Sequence, residues 1–173
     1  MASKSSPNRY GSVAILIHWS SAAAVILAFG AGFAVANVSE QPALLLVHIA
    51  LGTIVLVLTL LRIVWWWAAD KHPSPPADQP RWQQMTANGV HLALYVILIL
   101  MASSGITTLI LSGAMPALLS GGPVPDFAGI IPRLAHGIMS KVLLALFALH
   151  VGAALYHQFV RRDHLLARMG IGA

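Results

Sequence analysis

The chain has 173 residues, of which 58% are hydrophobic and 9% are charged, and its formal net charge is +5. A soluble domain carries about 25% charged residues, so this composition is typical of a protein whose surface faces lipid. The absence of cysteine excludes disulfides, iron–sulfur clusters and thiolate metal ligands. The positive charge does not indicate nucleic-acid binding, because the basic residues lie at the ends of apolar segments, where they set membrane orientation.

Four apolar segments follow one another along the chain. Each is longer than the roughly 20 residues that cross about 30 Å of hydrocarbon as a helix. The segments run over about residues 13–35, 43–68, 90–112 and 130–160. A short surface helix is expected near Met115–Leu119, inside the longest loop. With no internal repeat in view, the sequence predicts an all-α, four-helix transmembrane bundle that forms a single domain over residues 1–173.

The basic residues are distributed unevenly between the two ends of these segments. Arg133 lies at the outer entrance of the fourth segment and Lys141 lies inside it. By the positive-inside rule, the side with more lysine and arginine faces the cytoplasm, so both termini are predicted to be cytoplasmic. The residues that define this inner side are Lys4, Arg9, Arg62, Lys71, Arg81, Arg161, Arg162 and Arg168.

Four histidines fall inside the predicted helices at two depths. His18 and His48 lie near the starts of the first and second helices, and therefore towards opposite sides of the membrane. In the fourth helix, His136 is close to the outer entrance and His150 lies about 21 Å further along the axis. The spacing from 136 to 150 leaves the two side chains only about 40° apart around the helix. The pattern predicts an inner pair, His18 with His150, and an outer pair, His48 with His136.

Each predicted pair offers two imidazoles to opposite sides of one planar macrocycle. Such ligation leaves the iron of a haem without an open position, which suits electron transfer. Haem b is favoured over haem c, because thioether attachment needs cysteine. Zinc also binds imidazole, but it usually takes three or four ligands at one depth. Any single intramembrane histidine can instead bond to a neighbouring helix, whereas the two-by-two arrangement favours two haem b groups.

Three further residues are candidates for cofactor binding. Gly52 lies one turn after His48 and would let a macrocycle approach the backbone, although small residues also serve helix packing. Arg62 is on the same face at the inner depth, where its guanidinium can grip a haem propionate or extend to lipid headgroups. Lys141 is expected to hold an outer propionate or to draw small anions towards the outer pair.

Two more histidines lie near the inner side. His91 begins the third predicted helix and is the rival of His18 as an inner ligand. His157 follows His150 by seven residues on the same face, about 10 Å nearer the cytoplasm. A histidine titrates near neutral pH, so His157 can bond a quinone carbonyl and pass a proton. The alternative for His157 is an interfacial histidine without a chemical role.

Taken together, these motifs resemble those of the bacterial cytochrome b561 family, the small di-haem membrane cytochromes, over nearly the whole chain. The motifs are Asn8-Arg9-Tyr10 before His18-Trp19, His48 with Gly52 and Arg62, Lys71-His72-Pro73-Ser74-Pro75-Pro76, His91-Leu92-Ala93-Leu94-Tyr95, and His136, His150 and His157 in the fourth helix.

The resemblance implies two b haems, ligated by the two pairs given above. Family members similar to this chain act as superoxide oxidases of the bacterial inner membrane. In these proteins superoxide gives an electron at the periplasmic face and ubiquinone takes it on the cytoplasmic side. The resemblance assigns His157 to the quinone site, with His91 as its neighbour. Arg133 and Lys141 are expected to attract the superoxide anion electrostatically.

Two other functions stay open from the sequence. An electron-carrier subunit would pass electrons from quinol or a dehydrogenase to a periplasmic protein, although the outer loops are small for a docking surface. A histidine-rich metal carrier or a structural bundle would have no redox function. The expected partners are membrane lipid, superoxide and ubiquinone, with a protein redox partner as an alternative, and nucleic acid is not among them.

Overall fold

A computed structural model describes residues 2–38, 41–75, 79–123 and 125–172 of the chain. Four of its helices are long and apolar enough to cross a membrane, which confirms the predicted all-α bundle. Pro76, the last residue of the proline-rich motif, lies outside the described residues. The helices are α1 (Ser12–Asn37), α2 (Pro42–Ala68), α3 (Arg81–Ser112), α4 (Ala114–Leu119), α5 (Ile131–Tyr156), which continues as a π-helical turn (His157–Arg161), and α6 (Leu165–Arg168).

Helix α3 differs most from its predicted bounds. It begins at Arg81 rather than near Val90, directly after Pro80. The added turns contain polar side chains such as Gln83 and Gln84, so the apolar pattern could not reveal them. A helix can continue past the hydrocarbon into the headgroup region, where its polar side chains are hydrated. The short helix expected near Met115–Leu119 is confirmed as α4.

The four long helices form two hairpins. Helix α1 packs along α2, helix α3 packs along α5, and α2 and α3 join the two hairpins. At mid-depth, Ala24 and Val25 of α1 pack on Val55 of α2. Near the opposite end from the termini, α4 closes the bundle by burying Ala114 and Leu118. Most large apolar side chains are exposed instead, as expected where lipid tails solvate the outer surface.

The two chain termini meet at one end of the bundle, which we call the inner end; the end that carries α4 is the outer end. The Tyr10 N–H donates to the Arg168 carbonyl at 3.1 Å, and the Trp19 indole N–H donates to the Met169 carbonyl at 3.0 Å. The Arg168 guanidinium also donates to the Ser74 carbonyl at 2.6 Å. The N-terminal segment, the α2–α3 loop and the C-terminal segment therefore form one connected surface.

Asp70 anchors the N-terminal segment to this surface. Its carboxylate accepts hydrogen bonds from the Ser5 hydroxyl at 2.8 Å, the Ser5 N–H at 3.0 Å and the Trp65 indole at 3.2 Å. Partial burial acts to raise the pKa of Asp70, but the bonds from Ser5, Lys71 and Trp65 outweigh it and hold that pKa below its usual value. The ionised carboxylate is therefore the form that stabilises the inner end.

Candidate functional site

The outer histidine pair bridges the two hairpins. His48 of α2 and His136 of α5 are half-buried, with ring centroids 6.0 Å apart and ring planes at 81°. A metal-bound imidazole nitrogen lies about 2.0 Å from the metal, and its ring centroid lies about 1.1 Å further away. Two imidazoles on opposite sides of one metal therefore have centroids about 6 Å apart. The observed separation therefore fits bis-imidazole ligation.

Hydrogen bonds at the outer pair orient both rings for ligation. His48 Nδ1 donates to the Ala28 carbonyl at 2.9 Å. His136 Nδ1 donates to the Met101 carbonyl at 3.0 Å and also lies 3.0 Å from the Ser104 hydroxyl. A proton held on Nδ1 leaves Nε2 with a free lone pair, and metal-bound histidines usually donate their other ring N–H to a carbonyl or carboxylate in this way.

Two glycines make room for the outer imidazoles. A Cβ placed on Gly32 of α1 would lie 2.8 Å from His48 Cε1, and one on Gly105 of α3 would lie 3.4 Å from His136 Cε1. Both glycines lie within long apolar helices, where the sequence alone does not show which neighbour each one approaches. A Cβ on Gly52 would meet no atom of the described residues within 4 Å, so packing among these residues does not require that glycine.

The inner histidines form a larger group. His18 of α1 and His150 of α5 have ring centroids 6.1 Å apart with planes at 66°, a separation that also fits two imidazoles on one metal. His91 of α3 lies 5.2 Å from His150, so the predicted rival ligand is in the same place. His18 is half-buried whereas His91 is exposed. His91 and His150 both belong to the α3–α5 hairpin, so the pair that joins the two hairpins is His18 with His150.

Arg62 points into the bundle towards the inner pair. Its Nη1 lies 2.9 Å from His18 Nδ1, and its guanidinium carbon lies 5.8 Å from the centre of the Tyr95 ring. The Arg62 Nε is buried and has no hydrogen-bond partner among the described residues. A buried donor without a partner is costly, and a carboxylate such as a haem propionate would supply the acceptor.

The remaining predicted site residues lie nearer the surface. Arg133 is exposed in the first turn of α5, one turn before His136, and its Nη1 folds against Gly137. Lys141 is exposed as well, and at 100° per residue it is turned about 140° away from His136. His157 begins the π-helical turn at the inner end, where its Nδ1 pairs with Asp163. Lys141 is therefore poorly placed to bind a propionate of a haem at the outer pair. The side chains of Arg133 and Lys141 both lie on the exposed surface of the bundle.

The histidines that face each other across the two hairpins do so in pairs, and His91 lies beside the inner pair. Within the part of the chain that the structure describes, no group of three or more histidine, aspartate or glutamate side chains is placed to hold a metal ion. A structural zinc site takes three or four protein ligands, whereas each facing pair here supplies two. Such a pair fits a macrocyclic cofactor whose iron needs only two axial ligands from the protein.

Four membrane-spanning helices and two facing imidazole pairs define the class of helical membrane cytochromes with b-type haem. The chain belongs to the prokaryotic cytochrome b561 family, because the family model matches residues 9–172. The resemblance noted from the sequence is thereby confirmed. Membership implies b-type haem and a role in membrane electron transfer, in a multi-pass bacterial membrane protein whose spans are solvated by lipid.

Three curated relatives match over almost their full lengths. Cytochrome b561 homolog 2 of Escherichia coli (strain K12) is 28% identical, with 98% of this chain and 95% of the relative covered. Cytochrome b561 homolog 1 of the same organism is 26% identical, over 94% of this chain and 97% of its own. The probable superoxide oxidase CybB of Yersinia pestis is 28% identical, over 93% of this chain and 95% of its own.

Proposed function

We propose that this protein is a superoxide oxidase that carries electrons from periplasmic superoxide to ubiquinone through two b haems. The observation that carries the proposal is the presence of two histidine pairs, each at the spacing of bis-imidazole ligation, towards opposite ends of one bundle. The similarity to a probable superoxide oxidase supports the choice of substrate. The balanced reaction converts two superoxide ions, one ubiquinone and two protons into two dioxygen molecules and one ubiquinol.

The chain's own residues would hold the two cofactors as follows. His48 and His136 ligate the outer haem through Nε2, with Nδ1 fixed by backbone carbonyls. His18 and His150 ligate the inner haem, and Arg62 binds a propionate. Because Arg62 donates to His18 Nδ1 in this structure, the guanidinium must move from that nitrogen to the propionate when His18 carries its proton on Nδ1. Each bound haem supplies a one-electron carrier.

The two substrates would be handled at opposite ends. At the outer end, Arg133 in the first turn of α5 attracts the superoxide anion towards the outer pair. At the inner end, His157 bonds the ubiquinone carbonyl, with His91 nearby, and protons enter from the cytoplasm. This orientation places both termini in the cytoplasm, with the single bundle of residues 1–173 in the bacterial inner membrane.

Haem counting on single histidine variants tests the ligand assignment. We expect two haems per chain in the wild type and about one in each of His18→Ala, His48→Ala, His136→Ala and His150→Ala, measured by reduced-minus-oxidised spectra with haem quantification. His164→Asn is the control, because His164 is exposed in a left-handed conformation that asparagine tolerates. Retention of both haems in any of the four variants would remove that histidine from the assignment.

Stopped-flow mixing with superoxide tests the reaction. We expect superoxide to reduce the purified wild-type protein faster than the variants that lack one haem, and ubiquinone to reoxidise it. If superoxide does not reduce the protein and the protein purifies with a stoichiometric partner, the protein is an electron-carrier subunit instead. A preparation without a Soret band, made with ample haem, would contradict both redox functions.

A further inference from the structure

The chain reverses direction at the end of α5, in a segment that contains none of the proposed haem ligands. The helix passes into the π-helical turn His157–Arg161, after which Arg162 and His164 both adopt left-handed backbone with φ of 56°. This reversal brings Asp163 back onto the start of the turn, where its N–H donates to the His157 carbonyl at 3.3 Å. Two non-glycine residues in this strained region indicate that the surrounding contacts define the turn.

The reversal places a carboxylate against the His157 ring. Asp163 Oδ2 lies 2.5 Å from His157 Nδ1, with 14% of the His157 side chain and 27% of the Asp163 side chain exposed. The pair is therefore reached by water at one edge and is sheltered on the other. Arg161 Nε lies 3.8 Å from the same carboxylate oxygen, and Arg161 Nη1 donates to Gln83 of α3 at 3.2 Å. The arginine thereby ties the turn to the neighbouring helix.

A carboxylate at Nδ1 determines what the other ring nitrogen can do. With the Nδ1 proton donated to Asp163, the neutral ring presents Nε2 as an acceptor, and the protonated ring presents Nε2–H as a donor. Without this partner the neutral imidazole would populate both tautomers, and only one of them leaves Nε2 free to take up a proton.

We propose that Asp163 is the positioning residue that fixes His157 with Nε2 towards ubiquinone, so that this nitrogen delivers protons to the quinone oxygen. The inference rests on the proposed function. In each transfer the Nε2–H bond breaks and a quinone O–H bond forms, while the electron comes from superoxide. His157 then becomes neutral with its remaining proton on Nδ1, held by Asp163, and it regains a proton at Nε2 from water on the inner side.

The test compares Asp163→Asn and Asp163→Glu with the wild-type holoprotein in lipid nanodiscs. We expect Asp163→Asn to keep two haems and the wild-type rate of reduction by superoxide. Its kcat for ubiquinone reduction should fall by about tenfold or more, with KM for ubiquinone little changed. Asp163→Glu should recover part of kcat. Asp126→Asn is the matched control, because Asp126 lies in the outer loop and bonds the Ala128 N–H through one oxygen that asparagine retains.

A second readout does not depend on turnover. Ring ¹⁵N chemical shifts of His157 should report protonation at Nδ1 in the wild type and a mixture of tautomers in Asp163→Asn. Wild-type kcat and an unchanged tautomer in Asp163→Asn would overturn the positioning role while leaving superoxide oxidation intact. If the wild type itself does not pass electrons to ubiquinone, the proposed function fails, and the ¹⁵N shifts still report whether Asp163 holds Nδ1–H.

Discussion

Replacing Gly32 with alanine should expel the haem that we propose for the outer histidine pair. The new Cβ would lie 2.8 Å from His48 Cε1 and 3.0 Å from His48 Nδ1. Carbon atoms in contact sit about 3.5–4.0 Å apart, so the ring must retreat by about 0.7 Å or more. Metal–ligand distances tolerate only about 0.2 Å. The displacement would also strain the 2.9 Å bond from His48 Nδ1 to the Ala28 carbonyl, and overpacking of this kind costs about 1–3 kcal/mol.

The measurement is haem per chain together with the reduced-minus-oxidised spectrum, with Gly30→Ala as the matched control. A Cβ on Gly30 of the same helix would meet no atom within 4 Å in the part of the chain that the structure describes. Both substitutions raise helix propensity by about 1 kcal/mol, so a weakened α1 cannot explain a loss seen only at residue 32. We expect one haem in Gly32→Ala and two in Gly30→Ala. Two haems with unchanged spectra in Gly32→Ala would refute the packing of His48 against Gly32.

Two further predictions concern the two ends of the bundle. Asp70→Asn should lower the free energy of unfolding in detergent by about 1–2 kcal/mol, because its hydrogen bonds to Ser5 and Trp65 are weaker. Scanning fluorimetry should show this as a lower melting temperature. Because the folded-state pKa of Asp70 is depressed, its contribution to the free energy of unfolding is present above the unfolded pKa of 3.8. That contribution is lost as the pH falls through the folded-state pKa. The reasoning would be contradicted if Asp70→Asn lost as much stability in acid as the wild type. At the outer end, Arg133→Gln should slow reduction by superoxide on the order of twofold at low ionic strength, and the difference should vanish at high salt because exposed charges are screened. A difference that is independent of salt would exclude steering.

Most of the fold could be predicted from hydropathy alone. Lipid demands long apolar helices with internally satisfied backbones, so α1, α2 and α5 end within a few residues of their predicted bounds. The start of α3 at Arg81 could not be predicted this way, because the first turns of α3 are polar.

The candidate site likewise has features that could be predicted from the sequence and features that could not. Helical rise and rotation were enough to pair His48 with His136 and His18 with His150, since depth and face follow from residue number. The close approach of Gly32 to His48 depends on how two helices pack, which no spacing along one helix reveals. Asp163 lies six residues after His157, and only a π-helical turn followed by left-handed backbone brings the two together. Neither conformation has a strong sequence signal.

The division of the bundle into two hairpins has a consequence for how the protein matures. Each histidine pair takes one member from the α1–α2 hairpin and one from α5. A cofactor bound by such pairs therefore cross-links the two halves after both have been inserted into the bilayer. Ligands that bind only the assembled form stabilise it by mass action. Cells short of haem should accordingly accumulate less of this protein, because the loosely joined halves are better substrates for membrane proteases.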